Sequence, residues 1–205
     1  MAAMELFDAL SEGDASKVTA ILQHSPEFVN ATLGNSGYTP LHSASRSGNS
    51  EVIKLLLKAK ASVNAANNRL QTPLHFACQS GKPEAVNLLL KSEANVKASD
   101  RDGWTPLHVA SRYGHCNVIL SLLEREARVN AVDLHGETPL HFACKTGQRD
   151  AIKLLLERRA DVNATNKCNE HALMTALVNA IFPNFALCAM ELISKGQHGR
   201  IHTPA

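Results

Sequence analysis

Thr39-Pro40-Leu41-His42 recurs as Thr72-Pro73-Leu74-His75, Thr105-Pro106-Leu107-His108 and Thr138-Pro139-Leu140-His141, each copy 33 residues after the last. The register holds outside the motif. Ala44, Ala77, Ala110 and Ala143 follow two residues after each His, and Gly48, Gly81, Gly114 and Gly147 follow six after it. Leu56-Leu57, Leu89-Leu90, Leu122-Leu123 and Leu155-Leu156 come next, then Val63-Asn64, Val96-Lys97, Val129-Asn130 and Val162-Asn163. Constant spacing over four copies marks a repeat architecture, which settles the fold before any single segment is read.

The residue types say what each copy builds. Thr caps a helix through its hydroxyl, and Pro is preorganised for the first helical position. Leu begins an apolar face, and the small Ala lets neighbouring helices approach. The Gly supplies the positive φ that ends a short first helix. A second helix carries apolar residues at helical spacing, as in Val52, Ile53, Leu56 and Leu57. The polar stretch after it, with Gly37, Gly103 or Gly136, reads as a turn between copies. No copy can bury its Leu-rich face alone, so stacking is required.

The period and the T-P-L-H-x-A pattern resemble the ankyrin-repeat family. The resemblance is strong from about Gly34 to Thr165 and implies an all-α repeat solenoid, a curved stack of helix-turn-helix units with short β-hairpin fingers. The expectation is a single array over 1–205. Full repeats fall at 34–66, 67–99, 100–132 and 133–165. An N-terminal capping unit occupies 1–33, where Leu6, Ala9, Gly13 and Ile21-Leu22 fit the template. An atypical C-terminal cap covers 166–196, with Ile181–Asn184 as an insertion, and 197–205 is a tail. Departures from the pattern at Leu70, Lys97 and Asn169 indicate a natural chain over an idealised design.

Composition narrows the function. With 21 Lys+Arg against 19 Asp+Glu, the balanced charge excludes a strongly basic nucleic-acid binder and an acidic solvating tail. Aromatics are 4%, as a thin core of Leu, Ala and Val would have. Five cysteines without paired spacing give no disulfide framework and point to a reducing compartment. Met1–Glu5 has no basic n-region. The apolar stretch 172–193 is interrupted by Asn179, Pro183, Asn184 and Glu191, which argues against a membrane span.

Histidines are many, but the motif histidines stand one per repeat and cannot converge on one ion. The resemblance implies a structural hydrogen bond for them instead. His198 and His202 lie in the tail without ligand partners in sequence. Cys78 and Cys144 occupy one repeat position, two periods apart, as small buried residues. No phosphate loop, nucleophile elbow or metalloprotease pattern is present. The expectation is no enzyme, no catalytic residue, no cofactor and no metal.

What remains is surface. In the resembling family, partner contacts come from finger tips and the exposed face of the first helix. Mapped here, the third repeat stands out, with Arg101, Trp104, Arg112 and Tyr113 at such positions. Trp, Tyr and Arg are the usual hot-spot residues because they combine contact area with a polar handle. Tyr38, Arg46, Arg69, Glu137 and Lys145 complete the candidate set. Its positive charge suggests a partner protein with an acidic patch around an apolar centre. The competing reading is that Trp104 packs on a neighbouring finger and the arginines are solvated.

Asn64, Asn130 and Asn163 resemble the asparagines that some ankyrin proteins present to an asparagine hydroxylase, with Asp161-Val162-Asn163-Ala164 the best match. Hydrogen bonding within the finger is the structural alternative. The expected function is therefore protein–protein interaction, an adaptor or regulator binding through the concave face and finger tips. A hydroxylase substrate or a fragment of a larger scaffold is the alternative. A chain of this size starting at Met1 suggests a monomeric stand-alone regulator or assembly chaperone of the cytoplasm, with the nucleus also open. No nucleic-acid or membrane partner is expected.

Overall fold

The computed structural model describes residues 2–172 together with 190 and 193. Contacts group the chain into two compact units, 1–101 and 102–205. The first unit holds six helices: α1 (Ala2–Glu12), α2 (Ala15–His24), α3 (Pro40–Ser47), α4 (Ser50–Lys58), α5 (Pro73–Ser80) and α6 (Pro83–Lys91). The second holds α7 (Pro106–Tyr113), α8 (Cys116–Glu124), α9 (Pro139–Lys145) and α10 (Arg149–Glu157). Most of the expected C-terminal cap, its insertion, Cys188 and the tail histidines lie outside the described residues, as does nearly all of the apolar stretch.

Each full repeat begins in the same way. Thr39, Thr72, Thr105 and Thr138 sit at the N-cap in extended conformation, with Pro next and the motif His at the third helical position. Thr and His form a reciprocal capping box, so the orphan N–H groups of the first turn are satisfied locally. Gly48, Gly81 and Gly114 take the left-handed conformation at the helix end.

The imidazole does a second job. The backbone N–H of Thr39 donates to Nδ1 of His42 at 3.1 Å. This leaves Nε2 as the donor, 2.9 Å from the carbonyl of Gln71 in the next repeat. In the second unit, Nε2 of His108 meets the carbonyl of Glu137 at 3.0 Å, and Nε2 of His141 meets that of Glu170 at 3.2 Å. These bonds require the neutral ring. Below the motif, Leu41, Ile53, Leu56, Leu74 and Leu89 are fully buried in the first unit, and Leu107, Ile119, Leu122, Leu140 and Ile152 in the second. Each contributes about 1.5–3 kcal/mol of apolar burial. Residues 1–33 supply a helix pair with Leu6, Ala9, Leu10 and Val18 buried.

The fingers differ from the expected β-hairpins. Among the described residues there is no strand, only isolated bridges between Leu33 and Tyr38 and between Thr165 and His171. The cause is length: one bond closes each turn, Asn67 N–H to Gln71 O or Asp133 N–H to Glu137 O, both at 3.0 Å. Neighbouring fingers are linked by single bonds instead, Asn68 N–H to Ser36 O and Leu134 N–H to Asp102 O. Positive φ falls on Gly37, Gly103 and Gly136 at the tips, but on Leu70 and Asn169 at the equivalent places. The second residue after the second helix of each full repeat is also left-handed and never Gly: Lys60, Glu93, Glu126 and Arg159.

Side chains at positive φ crowd their own backbone. Leu70→Gly and Lys60→Gly are each expected to raise stability by about 0.5–1 kcal/mol, after allowance for the greater chain entropy of glycine. Thermal unfolding checks this, and an unchanged or lower Tm would show that the side chains hold compensating contacts. A second outcome concerns pH. Burial first of all holds His42 and His141 below the ordinary 6.5. The folded chain therefore binds fewer protons than the unfolded one as pH falls from about 6.5, and stability declines through that window. Between about pH 6.5 and 5, above the range of ordinary carboxylates, Tm is expected to drop, while the His42 and His141 imidazole resonances of the folded chain keep their neutral positions to lower pH than an ordinary histidine. A flat Tm there would contradict the neutral bridge.

Candidate partner-binding surface

Trp104 stands between the finger glycine Gly103 and the helix cap Thr105, so the rigid helix start fixes its backbone. It is half-buried and meets Phe142 of the next repeat edge-on, ring centroids 4.7 Å apart at 85°. Phe142 in turn packs against the bridging ring of His108 at 5.2 Å. The Arg112 guanidinium, one helix length from Trp104, lies over the indole at 5.3 Å from its centroid. The Arg112 carbonyl accepts a 2.8 Å bond from the Thr146 hydroxyl, tying α7 to the end of α9. Trp104, Arg112, Phe142 and Lys145 surround a depression of about 360 Å³, with Asp102, Asp133, His135 and Glu137 on its polar side.

The expectation for Glu137 is corrected. It is not an exposed contact but only 6% exposed. Its carbonyl accepts from Nε2 of His108. Its carboxylate accepts from the Lys145 ammonium and, at 3.4 Å, from the Asn166 amide. Tyr113 is exposed as expected and stacks on His115 at 6.0 Å, but does not line the depression.

In the first unit Tyr38 and Arg46 occupy the same two repeat positions as Trp104 and Arg112. Tyr38 meets Phe76 at 5.0 Å and 74°, and His42 at 5.2 Å. Burial pushes the Tyr38 phenol upward, partly opposed by the nearby Arg46 charge. Tyr38 and Arg46 line a depression of about 630 Å³ with Phe7, Leu10 and Leu33. Arg69 and Arg101 are exposed on their finger tips and line neither depression. Phe76, Phe142 and Asp133 were absent from the expected set. The signal was present: a 66-residue period overlies the 33-residue one, setting Tyr38 with Trp104, Arg46 with Arg112, and Phe76 with Phe142.

The asparagines divide. The side-chain oxygen of Asn64 accepts from Asn95 N–H at 2.7 Å, and that of Asn130 from Asp161 N–H at 2.8 Å. These two brace successive fingers. Asn163 is exposed, and none of its bonds to described residues uses its side chain. Burial pushes the Cys78 thiol up, and burial together with Asp150 raises that of Cys116. Both shifts work against thiolate formation. Among the described residues no cluster of His, Cys, Asp and Glu is disposed to hold a metal ion, and no helix is long and apolar enough to cross a membrane.

Comparison with known proteins agrees with this architecture. The family described as "Ankyrin repeats (3 copies)" matches residues 65–133, 93–166 and 128–201, and "Ankyrin repeat" matches 36–68. The chain belongs to the ankyrin-repeat family, whose members are generally protein-interaction modules and typically non-enzymatic. It is similar to the "NAD-capped RNA hydrolase NUDT12" proteins of Homo sapiens, Pongo abelii and Macaca fascicularis. Each is 39% identical over 61 residues, which is 30% of this chain and only 13% of the hydrolase.

Proposed function

We propose that this chain is a non-catalytic adaptor or regulator that holds an acidic segment of a partner protein, with the Trp104–Arg112 surface as its principal contact. One observation carries this reading. Arg46, Arg69, Arg101 and Arg112 are exposed at finger and first-helix positions, and no carboxylate among the described residues pairs with any of them. In the second unit, the Arg112 guanidinium over Trp104 supplies both charge and apolar area to an incoming chain. Lys145 differs, because its charge is already met by Glu137. The proposal includes a monomer working in the cytoplasm or nucleus. Quantitative mass spectrometry of proteins retained from a matched lysate tests it, comparing the wild type with Trp104→Ala/Arg112→Ala/Tyr113→Ala. The variant should stay folded by circular dichroism and lose an acidic partner by at least about tenfold, as loss of a hot spot predicts. Equal retention by both proteins would move the interface elsewhere.

Asn163 supports a second reading, a client of an asparagine hydroxylase, because its side chain is exposed and unused where Asn64 and Asn130 are engaged. Peptide mapping of the protein from its native cell should then show one added oxygen atom on Asn163 and none on Asn64 or Asn130. An unmodified Asn163 would end that reading.

A further inference from the structure

Met4 of α1 is 67% exposed, and Leu33, just before the first finger turn, is 44% exposed. Both line the depression of about 630 Å³ in the first unit. Met4, Asp8 and Ser11 share one face of α1 there, and Ser43, Arg46 and Ser47 share one face of α3, which packs beside α1. Phe7 and Leu10, both buried, and Tyr38 complete the apolar lining. Charge sets this surface apart from the one at Trp104. Asp102, Asp133 and Glu137 line that depression, whereas the residues 66 positions earlier are Ser36, Asn67 and Gln71, all neutral, and His135 is matched by Arg69. The finger that carries Arg69 is tied to α3 by the bond from His42 to Gln71. Asp8 is the one carboxylate lining the first depression, and it does not pair with Arg46. The α3 side is therefore positive, and the α1 side carries an exposed thioether and a negative charge.

We infer that the first unit holds a second, separate contact: the depression receives neighbouring aliphatic side chains of an acidic partner segment, one of whose carboxylates meets the Arg46 guanidinium. This goes beyond the Trp104 surface proposed above and does not depend on it. Met4 and Leu33 are open to solvent, so covering them gains free energy in proportion to the apolar area removed from water. An unbranched thioether adapts to the shape of what covers it. The volume is in the middle of the range of ligand sites and takes more than one side chain. Arg46 presents a planar fork that matches a carboxylate with two parallel bonds. Asp8 repels acids from the α1 side, so the acidic residues of the segment lie on one side of its aliphatic ones.

A library of random linear peptides displayed on phage is selected on the full chain, and enriched peptides are measured by calorimetry. The expected peptides carry aliphatic residues with Asp or Glu on one side of them. Met4→Gln/Leu33→Thr changes exposed side chains only, and Thr suits the extended backbone of Leu33. Tm should therefore hold while these peptides weaken at least about tenfold. Arg46→Glu should weaken them by a similar factor, and replacing the acidic residue of the peptide by Lys should restore binding to that variant alone. Trp104→Ala should leave them unchanged. A set in which every peptide is lost with Trp104→Ala would overturn the separate contact and leave the Trp104 surface standing. Enriched peptides without an acidic residue would overturn it too, as would a dimer seen by light scattering that Met4→Gln/Leu33→Thr dissociates, because a second copy would then fill the depression. No enriched peptide, or peptides indifferent to all three variants, would overturn both contacts.

Discussion

The neutral imidazole of the repeated Thr-Pro-Leu-His motif is the constraint on which the rest depends. One ring nitrogen accepts from the cap of its own helix, and the other donates to a carbonyl 29 residues later. Local helix start and repeat-to-repeat spacing are therefore one interaction. A protonated ring would lose the Nδ1 acceptor, and a smaller residue would leave the carbonyl of Gln71 or Glu137 without its donor. That carbonyl belongs to the residue just before the next motif Thr, so the bridge fixes the backbone there, while each side chain follows its own partners: Glu137 is buried with Lys145 and Asn166, and Glu170 is exposed.

This explains what could be read from the sequence. Thr caps, Pro starts and Gly stops act within a few residues, so the four repeats and their helices were legible from type and spacing. Arg112 is exposed as the repeat template implies, whereas Trp104 is half-buried because Phe142 of the next repeat packs against it. Glu137 was misread because its position flanks an exposed turn, while its carboxylate meets Lys145 and, 29 residues later in the chain, Asn166. The fingers were overextended to hairpins because turn residues predict a reversal, not the number of ladder bonds after it. Leu70 and Asn169 keep the left-handed turn without glycine, since neighbouring finger bonds hold the backbone in place.

The 66-residue period shows how packing and recognition share the same positions. After Tyr38 and Trp104, a ring meets the phenylalanine of the next repeat, 5.0 and 4.7 Å away. After Gln71 and Glu137, a polar side chain meets the first finger residue of the next, Asp100 or Asn166. Aromatic and polar junctions thus alternate. The aromatic ones gain area and shape, and the next finger residue takes its side-chain bonds within its own finger. At Asn67 this is harmless, because an amide finds Gln71 within its own finger. At Asp133 the residue following the turn is Glu137, an acceptor committed to Lys145 and Asn166. One Asp133 oxygen therefore has no hydrogen-bond partner among the described residues, although the Lys145 ammonium and the Arg112 guanidinium line the same depression.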